Sequence, residues 1–370
     1  MSKTEEKRTL TTAERQKQRK RRAARRTARK IGRFFLILLE TVLLLGFGAF
    51  ATAFMVAKGP SDVWRNGLIG LSESSALKFL PKLFFSQEEI TAIRSDVVEE
   101  YVPTDTSLIT ISTEPSHASA DGQPWTDSYG FVDEDGDGII IDTVKGRGYS
   151  GYMMIVEDPS RVIMGSVPSS YGREGYTVSE FVQHFDGVAG VNAGGFLDPN
   201  GFGDGSTPDS VVVVDGEIYY SDYGCRDGIA AIDGNHILHV ANRMSRQELI
   251  DNDIRYAVCY GPVLIANGEA VSTTGAYEGL NPRTVIGQRD DGAMLLLVID
   301  GRQVKSMGAN YKDLTEIMLS YGAVNALNLD GGSSSMLWYN DRYLNNESAV
   351  IGIRDIPTSF VVLKEGQTNG

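Results

Sequence analysis

The chain has 370 residues, of which 42% are hydrophobic and 22% are charged. This composition supports a sizeable core and excludes a globally disordered protein. Its net charge of −13 is unevenly spread, because the first 33 residues carry fourteen Lys or Arg and three Glu. The acidic remainder argues against nucleic acid as a substrate. A basic arm joined to an acidic body predicts a chain that contacts two compartments.

An apolar segment follows the basic arm. Residues 34–57 contain a single charged side chain, Glu40. As a helix they reach about 36 Å, enough to cross a hydrocarbon core of about 30 Å. Because Lys and Arg stay on the cytoplasmic side, we expect a single-pass protein of the cell membrane with a cytoplasmic N-terminus and an extracellular C-terminal domain. The alternative is a cleaved signal peptide, since the small residues Ala51-Thr52-Ala53 follow the apolar run.

Composition divides the chain into five parts. Residues 1–33 are the basic cytoplasmic arm, for which anionic membrane lipid is the expected partner, and residues 34–57 are the transmembrane helix. Residues 58–127 are interpreted as a juxtamembrane stalk and linker, because the second half is rich in Ser, Thr, Asp and Pro. A compact domain is predicted at 128–363, followed by a tail at 364–370.

Three helices are predicted in the compact domain, two from capping boxes at their start and one from apolar residues at helical spacing before a glycine. They are 178–185 after Thr177, a short helix after Ser245, and about 311–321 before Gly322. A further capping signal, Ser86 with Glu89, lies in the stalk.

Short apolar runs between glycine turns predict strands. The candidates are 211–214, 294–300, 326–330 and 359–363. Too few helices alternate with strands for a doubly wound sheet, so the predicted fold class is α+β, with mixed or antiparallel sheets and a few packed helices.

The domain contains two segments with a similar residue pattern. Glu180 and Asn192 are separated by twelve residues, as are Glu316 and Asn328, and each pair spans a helix, a Gly turn and an apolar strand. We therefore predict that two helix–strand units deliver polar glycine loops to one pocket; chance similarity is the alternative.

Common catalytic signatures are absent from the sequence. It has no G-x-S-x-G, P-loop or H-E-x-x-H motif, and His236 and His239 would point to opposite faces of a strand. We interpret these histidines as surface residues and predict neither a metal site nor a cofactor. Cys259 lies in an apolar run and is interpreted as a buried free thiol, with a disulfide to Cys225 as the alternative.

One acidic segment resembles the opening of a calcium-binding loop. It begins at Asp133 and reads D-E-D-G-D-G, but Val144 stands at its twelfth position where such loops have Glu. The segment is therefore predicted to be a turn rich in Asx bonds.

Two apolar strands are predicted to end in carboxylates. Asp300 is followed by Gly and Arg, and Asp330 by two glycines and three serines. Glycines after a strand let a substrate approach the backbone closely. Either motif alone would be interpreted as a turn that caps a strand. Together with Arg283, which can clamp an anionic oxygen bidentately, they indicate an active site.

Five segments in order resemble motifs of the phosphodiester glycosidase family. They are 191–196 (V-N-A-G-G-F), 260–264 (Y-G-P-V-L), 281–287 (N-P-R-T-V-I-G), 300–302 (D-G-R) and 328–334 (N-L-D-G-G-S-S). The resemblance covers about residues 151–363, and the N-terminal layout is similar to that of membrane-anchored Gram-positive relatives. It implies hydrolysis of the bond between the anomeric carbon of a sugar and a phosphodiester oxygen.

The resemblance assigns roles to the candidate residues. Asp330 or Asp300 would stabilise or attack the anomeric carbon, and Arg283 with Arg302 would bind phosphate. A phosphate ester is a good leaving group, so a positive group that holds it matters more than an acid that protonates it. The remaining predicted substrate-binding residues are Asn192, Gly194, Gly195, Gly331, Gly332 and Ser333.

The sequence thus favours an extracytoplasmic hydrolase that acts on sugar-1-phosphodiesters of cell-envelope or exopolysaccharide glycans. Its expected partners are a sugar-phosphate or glycan substrate and membrane lipid, and no nucleic acid. Two alternatives remain. A non-catalytic glycan-binding module that assists envelope or exopolysaccharide assembly would need the pocket without the carboxylates, and a metal-dependent phosphodiesterase would break P–O bonds.

The predicted topology can be tested on intact cells. If residues 34–57 are an uncleaved anchor, added protease should remove the C-terminal domain and leave a short membrane-bound fragment, as detected by immunoblotting against both ends. A full-length soluble domain in the medium that starts near Phe54 would instead show a cleaved signal.

Overall fold

The computed structural model describes residues 12–59, 81–86, 88–89, 103–111, 124–198, 203–220, 228–272, 279–347 and 352–367. The chain separates into two compact units, residues 1–65 and residues 66–370, and each is described by itself.

The first unit is dominated by one long helix, α1, Thr12–Ala57. Its part from Arg29 to Ala57 is long and apolar enough to cross a membrane, a test that signal sequences also pass. Among the described residues it is the one helix with these properties. The predicted boundary between arm and apolar segment, at residue 34, therefore falls inside a continuous helix.

Three further α-helices are complete within the described residues of the second unit. They are α2, Val178–His184; α3, Arg246–Asp251; and α4, Tyr311–Ser320. Each begins with a capping box in which the cap side chain and the third helical residue exchange backbone hydrogen bonds. The three predicted helices are confirmed. Ser86 and Glu89 also exchange capping bonds, whereas most of the helix expected after them lies outside the described residues.

Nineteen β-strands are formed by the described residues. In chain order they are β1 Trp125–Thr126, β2 Val132–Asp133, β3 Ile139–Gly146, β4 Tyr149–Val156, β5 Val162–Ser166, β6 Gly187–Asn192, β7 Val212–Val214, β8 Glu217–Tyr220, β9 Ile229–Asp233, β10 Leu238–Ala241, β11 Ile254–Cys259, β12 Val263–Ala266, β13 Glu269–Ala270, β14 Arg283–Arg289, β15 Met294–Ile299, β16 Ala323–Asn328, β17 Leu337–Tyr339, β18 Arg342–Tyr343 and β19 Thr358–Leu363.

These strands form three main sheets. A seven-stranded sheet has the order β13-β12-β16-β14-β15-β4-β3, and two five-stranded sheets have the orders β10-β9-β11-β7-β8 and β18-β17-β6-β19-β5. β1 and β2 form a separate pair. Neighbouring strands such as β14 and β15, or β6 and β19, run antiparallel. The fold class is α+β, as predicted.

Side chains of the seven-stranded sheet alternate between two cores. In β4, Met154 and Val156 enter a core shared with both five-stranded sheets, whereas Met153 and Ile155 enter a second core that α4 covers. Successive strand residues point to opposite faces, so a sheet buried on both sides needs continuously apolar strands. This explains the uninterrupted apolar sequence of β15.

The segment 103–111, which the sequence suggested was linker, lies against the domain. Thr104 Oγ1 accepts a hydrogen bond of 3.1 Å from the Val240 amide, and the Asp105 amide donates one of 2.8 Å to Asn267 Oδ1. The Thr110 amide donates to the Asp290 carbonyl at 2.7 Å. β1 begins at Trp125, three residues before the predicted start of the domain.

Two interpretations of single side chains are wrong. Cys259 is disulfide-bonded rather than a free thiol, and Cys225 lies outside the described residues. His239 is buried rather than exposed, with Nε2 3.0 Å from Asp233 Oδ2. Both errors have the same cause, since local patterning carries no information on which distant group a side chain meets.

Arg289 forms buried ion pairs in this unit, and their contribution to stability can be measured. It is 1% exposed, and its guanidinium lies 2.6 Å from Asp127 Oδ2 and 2.7 Å from Asp291 Oδ2. Replacing Arg289 by Met leaves Asp127 buried without its partner, so we expect a loss of about 3–5 kcal/mol in the free energy of unfolding.

Denaturant unfolding of the purified domain measures this change. The control is Lys312→Met, which removes an exposed pair with Glu316 at 3.8 Å and should change stability by less than about 0.5 kcal/mol. Equal effects of the two substitutions would contradict the prediction.

Candidate active site

A cavity of about 180 Å³ opens where several strand ends meet. In an antiparallel sheet the end of one strand lies beside the start of the next. Arg283 at the start of β14, Arg302 after β15 and Asp330 after β16 therefore come together at one edge. The cavity is lined by Gly195, Phe196, Asp198, Asp209, Tyr260, Asn281, Arg283, Arg302, Asp330, Gly331, Gly332, Ser333, Ser334 and Arg354.

Two glycine loops from different sheets are joined beneath this cavity. The Asp330 amide, after β16, donates to the Ala193 carbonyl, after β6, at 3.1 Å. In return, Asn192 Nδ2 donates to the Asp330 carbonyl at 2.6 Å. The predicted pair of helix–strand units, α2–β6 and α4–β16, thus delivers both loops to one cavity.

Asn192 lies under the cavity rather than in its wall. The residue is fully buried, and its Oδ1 accepts hydrogen bonds from Thr284 Oγ1 at 2.7 Å and from the Met336 amide at 3.2 Å. It therefore fixes three segments that carry cavity residues. Gly194 is also part of this support, because its amide donates to Thr358 Oγ1 at 3.1 Å and a Cβ there would lie 2.9 Å from the Val258 side chain.

Asp330 is a carboxylate of the cavity wall whose pKa is shifted upward. Burial raises its pKa to about 6, and the negative charge of Asp198 acts in the same direction. A hydrogen bond from Ser334, the charge of Arg354 and the Gly331 amide at 2.9 Å oppose this rise in the pKa. A carboxyl group of this kind changes its charge close to neutral pH, which is typical of catalytic groups.

The two predicted phosphate-binding arginines are held in different ways. Arg283 is 3% exposed, and it donates to Tyr311 Oη at 3.0 Å, to the Gly279 carbonyl at 3.1 Å and to the Ala309 carbonyl at 3.3 Å. Arg302 is exposed and donates to Asn281 Oδ1 at 3.3 Å. It lies over Gly332, where a Cβ would be 3.2 Å from Arg302 Nη2.

A second ionic group on the wall was missed by the sequence reasoning. Arg354 and Asp198 form a bidentate pair at 2.9 and 3.1 Å, and the Arg354 guanidinium lies 4.9 Å from the centre of the Phe196 ring. Asp209 was also missed; its Oδ1 accepts a hydrogen bond of 3.3 Å from Ser210. Nothing in the sequence around these residues indicates that they meet at the cavity, so only spatial proximity identifies them.

Not every predicted site residue lines the cavity. Asp330, Arg283, Arg302, Gly195, Gly331, Gly332 and Ser333 do so. Asn192, Gly194 and Asp300 do not. Asp300 is 5% exposed, and its two carboxylate oxygens accept hydrogen bonds from the backbone and side-chain nitrogens of Asn346, both at 3.0 Å.

The acidic segment at Asp133 forms the predicted Asx-rich turn. Asp133 accepts hydrogen bonds from the Gly136 and Gly138 amides, each at 2.8 Å, and Asp137 accepts one from the Ile139 amide. The carboxylates of Asp133, Asp135 and Asp137 lie within 4.8 Å of one another, a spacing that can hold a metal ion. Two of the three already bind backbone amides, as a structural turn requires.

Comparison with known proteins identifies the class to which the site belongs. Residues 185–363 match the family model described as phosphodiester glycosidase. This part of the chain belongs to that family, as the five sequence motifs indicated.

Individual relatives are distant. The N-acetylglucosamine-1-phosphodiester alpha-N-acetylglucosaminidase of Mus musculus is 25% identical over 221 residues, which cover 54% of this chain and 42% of the relative. The SPbeta prophage-derived uncharacterized protein YomE of Bacillus subtilis is 31% identical over 141 residues, which cover 35% of this chain and 22% of that protein. The matched regions therefore span less than half the length of these curated relatives.

One solved structure supports the fold. The catalytic domain of the zebrafish N-acetylglucosamine-1-phosphodiester alpha-N-acetylglucosaminidase, auto-inhibited by its pro-peptide, aligns with a TM-score of 0.51. The alignment has 20% sequence identity and covers 61% of this chain and 82% of that one. At 20% sequence identity this similarity supports the fold alone.

The environment of Asp330 can be tested by titration. We expect the side-chain carboxyl of Asp330, followed by carbon-detected NMR, to titrate near pH 6. In Arg354→Met the pKa of Asp330 should be higher, because a favourable positive charge is removed and the charge of Asp198 is no longer offset by Arg354. The control Arg246→Met removes an exposed charge from α3 and should leave the titration unchanged. A midpoint near pH 4 in the unmodified protein would contradict this description.

Proposed function

We propose that this chain is an extracytoplasmic hydrolase that cleaves the sugar C1–O bond of sugar-1-phosphodiesters in cell-envelope or exopolysaccharide glycans. One observation carries the proposal. A single cavity wall contains Asp330, whose pKa is raised to about 6, together with the guanidinium groups of Arg283 and Arg302. A carboxylate beside two cations suits a substrate in which an anomeric carbon becomes positive while a phosphate ester departs.

The charges of these three side chains indicate the role of each in the proposed reaction. Arg302 interacts electrostatically with both Arg283 and Asp330, so an anionic phosphate between the arginines would relieve their mutual repulsion. The phosphate ester leaves with both electrons of the C1–O bond. Because its second pKa is about 6, it needs little acid assistance. The ionised form of Asp330 stabilises the oxocarbenium-like centre or attacks it, and water finally supplies the new oxygen at C1.

The N-terminal helix supports the proposed location. Its apolar side chains between Phe34 and Val56 are exposed along the helix, and a basic sequence precedes them. We propose that α1 anchors the protein with its N-terminus in the cytoplasm, that the basic arm binds anionic lipid, and that the domain with the cavity lies outside the membrane.

Hydrolysis of a UDP-sugar or a synthetic sugar-1-phosphodiester in water labelled with heavy oxygen tests the reaction. We expect mass spectrometry to find the label in the released sugar, because water attacks C1. Label in the phosphate would indicate P–O cleavage and contradict the proposal. Saturable binding without turnover would favour the glycan-binding alternative.

Asp330→Asn tests the central residue of the same proposal. The amide keeps the shape but removes the charge that stabilises the transition state, so turnover should fall by at least two orders of magnitude, or about 2.7 kcal/mol of barrier. Turnover of the unmodified protein should decrease as the pH falls through about 6, where Asp330 becomes protonated.

The folded state raises the pKa of Asp330, so the ionised carboxylate destabilises the fold above pH 6. The melting temperature of Asp330→Asn should therefore be unchanged or higher at pH 8. The control Asp233→Asn alters a buried carboxylate outside the cavity wall and should retain turnover. Near-normal turnover of Asp330→Asn would contradict its assignment.

A further inference from the structure

The loop that follows β15 carries Arg302 into the cavity. The Arg302 backbone has a φ of 56°, in the left-handed region that non-glycine residues rarely adopt and that persists only where the surrounding structure enforces it. Its side chain is exposed. The Arg283 guanidinium is fixed by three hydrogen bonds, whereas the Arg302 guanidinium donates to Asn281 Oδ1 at 3.3 Å. The position of Arg302 therefore depends more on its backbone than that of Arg283 does.

The turn itself is closed by short-range hydrogen bonds. The Arg302 amide donates to the Met307 carbonyl at 3.3 Å, and the Gln303 amide to the Ser306 carbonyl at 2.9 Å. Ser306 Oγ donates to the Asp300 carbonyl at 2.5 Å and accepts from the Ser150 amide at 3.0 Å. These bonds hold the loop to the start of β4 and to the end of β15.

The Asp300 side chain ties the base of the same loop to a second segment. Its two oxygens each accept a hydrogen bond from Asn346 at 3.0 Å. Gln303 Nε2 in turn lies 3.5 Å from the Asn346 carbonyl and 3.4 Å from the Glu347 carbonyl. Residues 346–347 thus hold the loop before Arg302, through Asp300, and after Arg302, through Gln303.

We infer that Asp300 is a positioning residue: through Asn346 it fixes the loop that places Arg302 in the cavity. Asp300 is buried and absent from the cavity wall, and both of its oxygens are engaged, so it acts on the substrate through Arg302. This inference rests on the proposed function for the assignment of Arg302 to the substrate phosphate.

A double-mutant cycle tests the coupling of Asp300 to Arg302. The variants are Asp300→Asn, Arg302→Met and the double substitution, assayed with a sugar-1-phosphodiester and with inorganic phosphate as a competitive inhibitor. Asp300→Asn should raise KM and weaken phosphate inhibition by about tenfold with less than a threefold change in kcat. In the Arg302→Met background the same substitution should change both constants by less than twofold.

The position of Arg302 can also be observed without turnover. The Nε–H signal of Arg302 in nitrogen-correlated NMR, assigned by its loss in Arg302→Met, should shift in Asp300→Asn and in Asn346→Ala. The control Asp233→Asn changes a buried carboxylate that accepts two backbone amides and contacts His239. It should leave this signal and KM unchanged even where it lowers the melting temperature.

The possible outcomes separate the inference from the proposed function. An unchanged Arg302 signal in Asp300→Asn overturns the inference. So does a fall in kcat of a hundredfold that persists in the Arg302→Met background, since Asp300 would then act on the reaction directly. If the signal shifts but Arg302→Met retains normal phosphate inhibition, the positioning role is supported and the phosphate-binding role proposed for Arg302 fails.

Discussion

The cavity depends on the hydrogen bonds that join the loop after β6 to the loop after β16. The Asp330 amide donates to the Ala193 carbonyl, and the Asn192 side chain donates to the Asp330 carbonyl. These groups connect two separate sheets, and Asn192 and Ala193 are buried, where an unpaired polar group is strongly unfavourable. Because Asn192 also binds Thr284 and the Met336 amide, this junction sets where the carboxylate stands relative to Arg283.

The charges of the cavity wall have to meet two conflicting requirements. The role proposed for Asp330 requires the ionised carboxylate, yet burial favours the neutral form and raises the pKa of Asp330 to about 6. Arg354 lowers the pKa of Asp330, but its partner Asp198 raises it. Arg283 and Arg302 stand on the same wall, where bound phosphate would reduce their net charge. With a pKa of about 6, Asp330 is mostly ionised at neutral pH beside these two guanidinium groups, as the proposed binding of an anionic phosphate requires.

Local features were predicted well from the sequence. The capping boxes of α2 and α3 and the apolar run of β15 depend on residues close together in the chain, and all three are present. The glycine loops at Gly195 and Asp330 were also predicted to meet, because two similar helix–strand units precede them. By contrast, the pair formed by Arg354 and Asp198 was missed, since 156 residues separate the two side chains and neither stands in a recognisable pattern.

The sequence alone determined the α+β class, the apolar N-terminal helix, the family and half of the residues that line the cavity, because each follows from local periodicity or from motifs in order. Only the tertiary structure decided what each polar group does. Asp300 and Asp330 both end apolar strands and both precede glycine, yet one is engaged by Asn346 and the other faces the cavity. The difference arises from which distant segment packs against each strand end, and no short-range pattern encodes that contact.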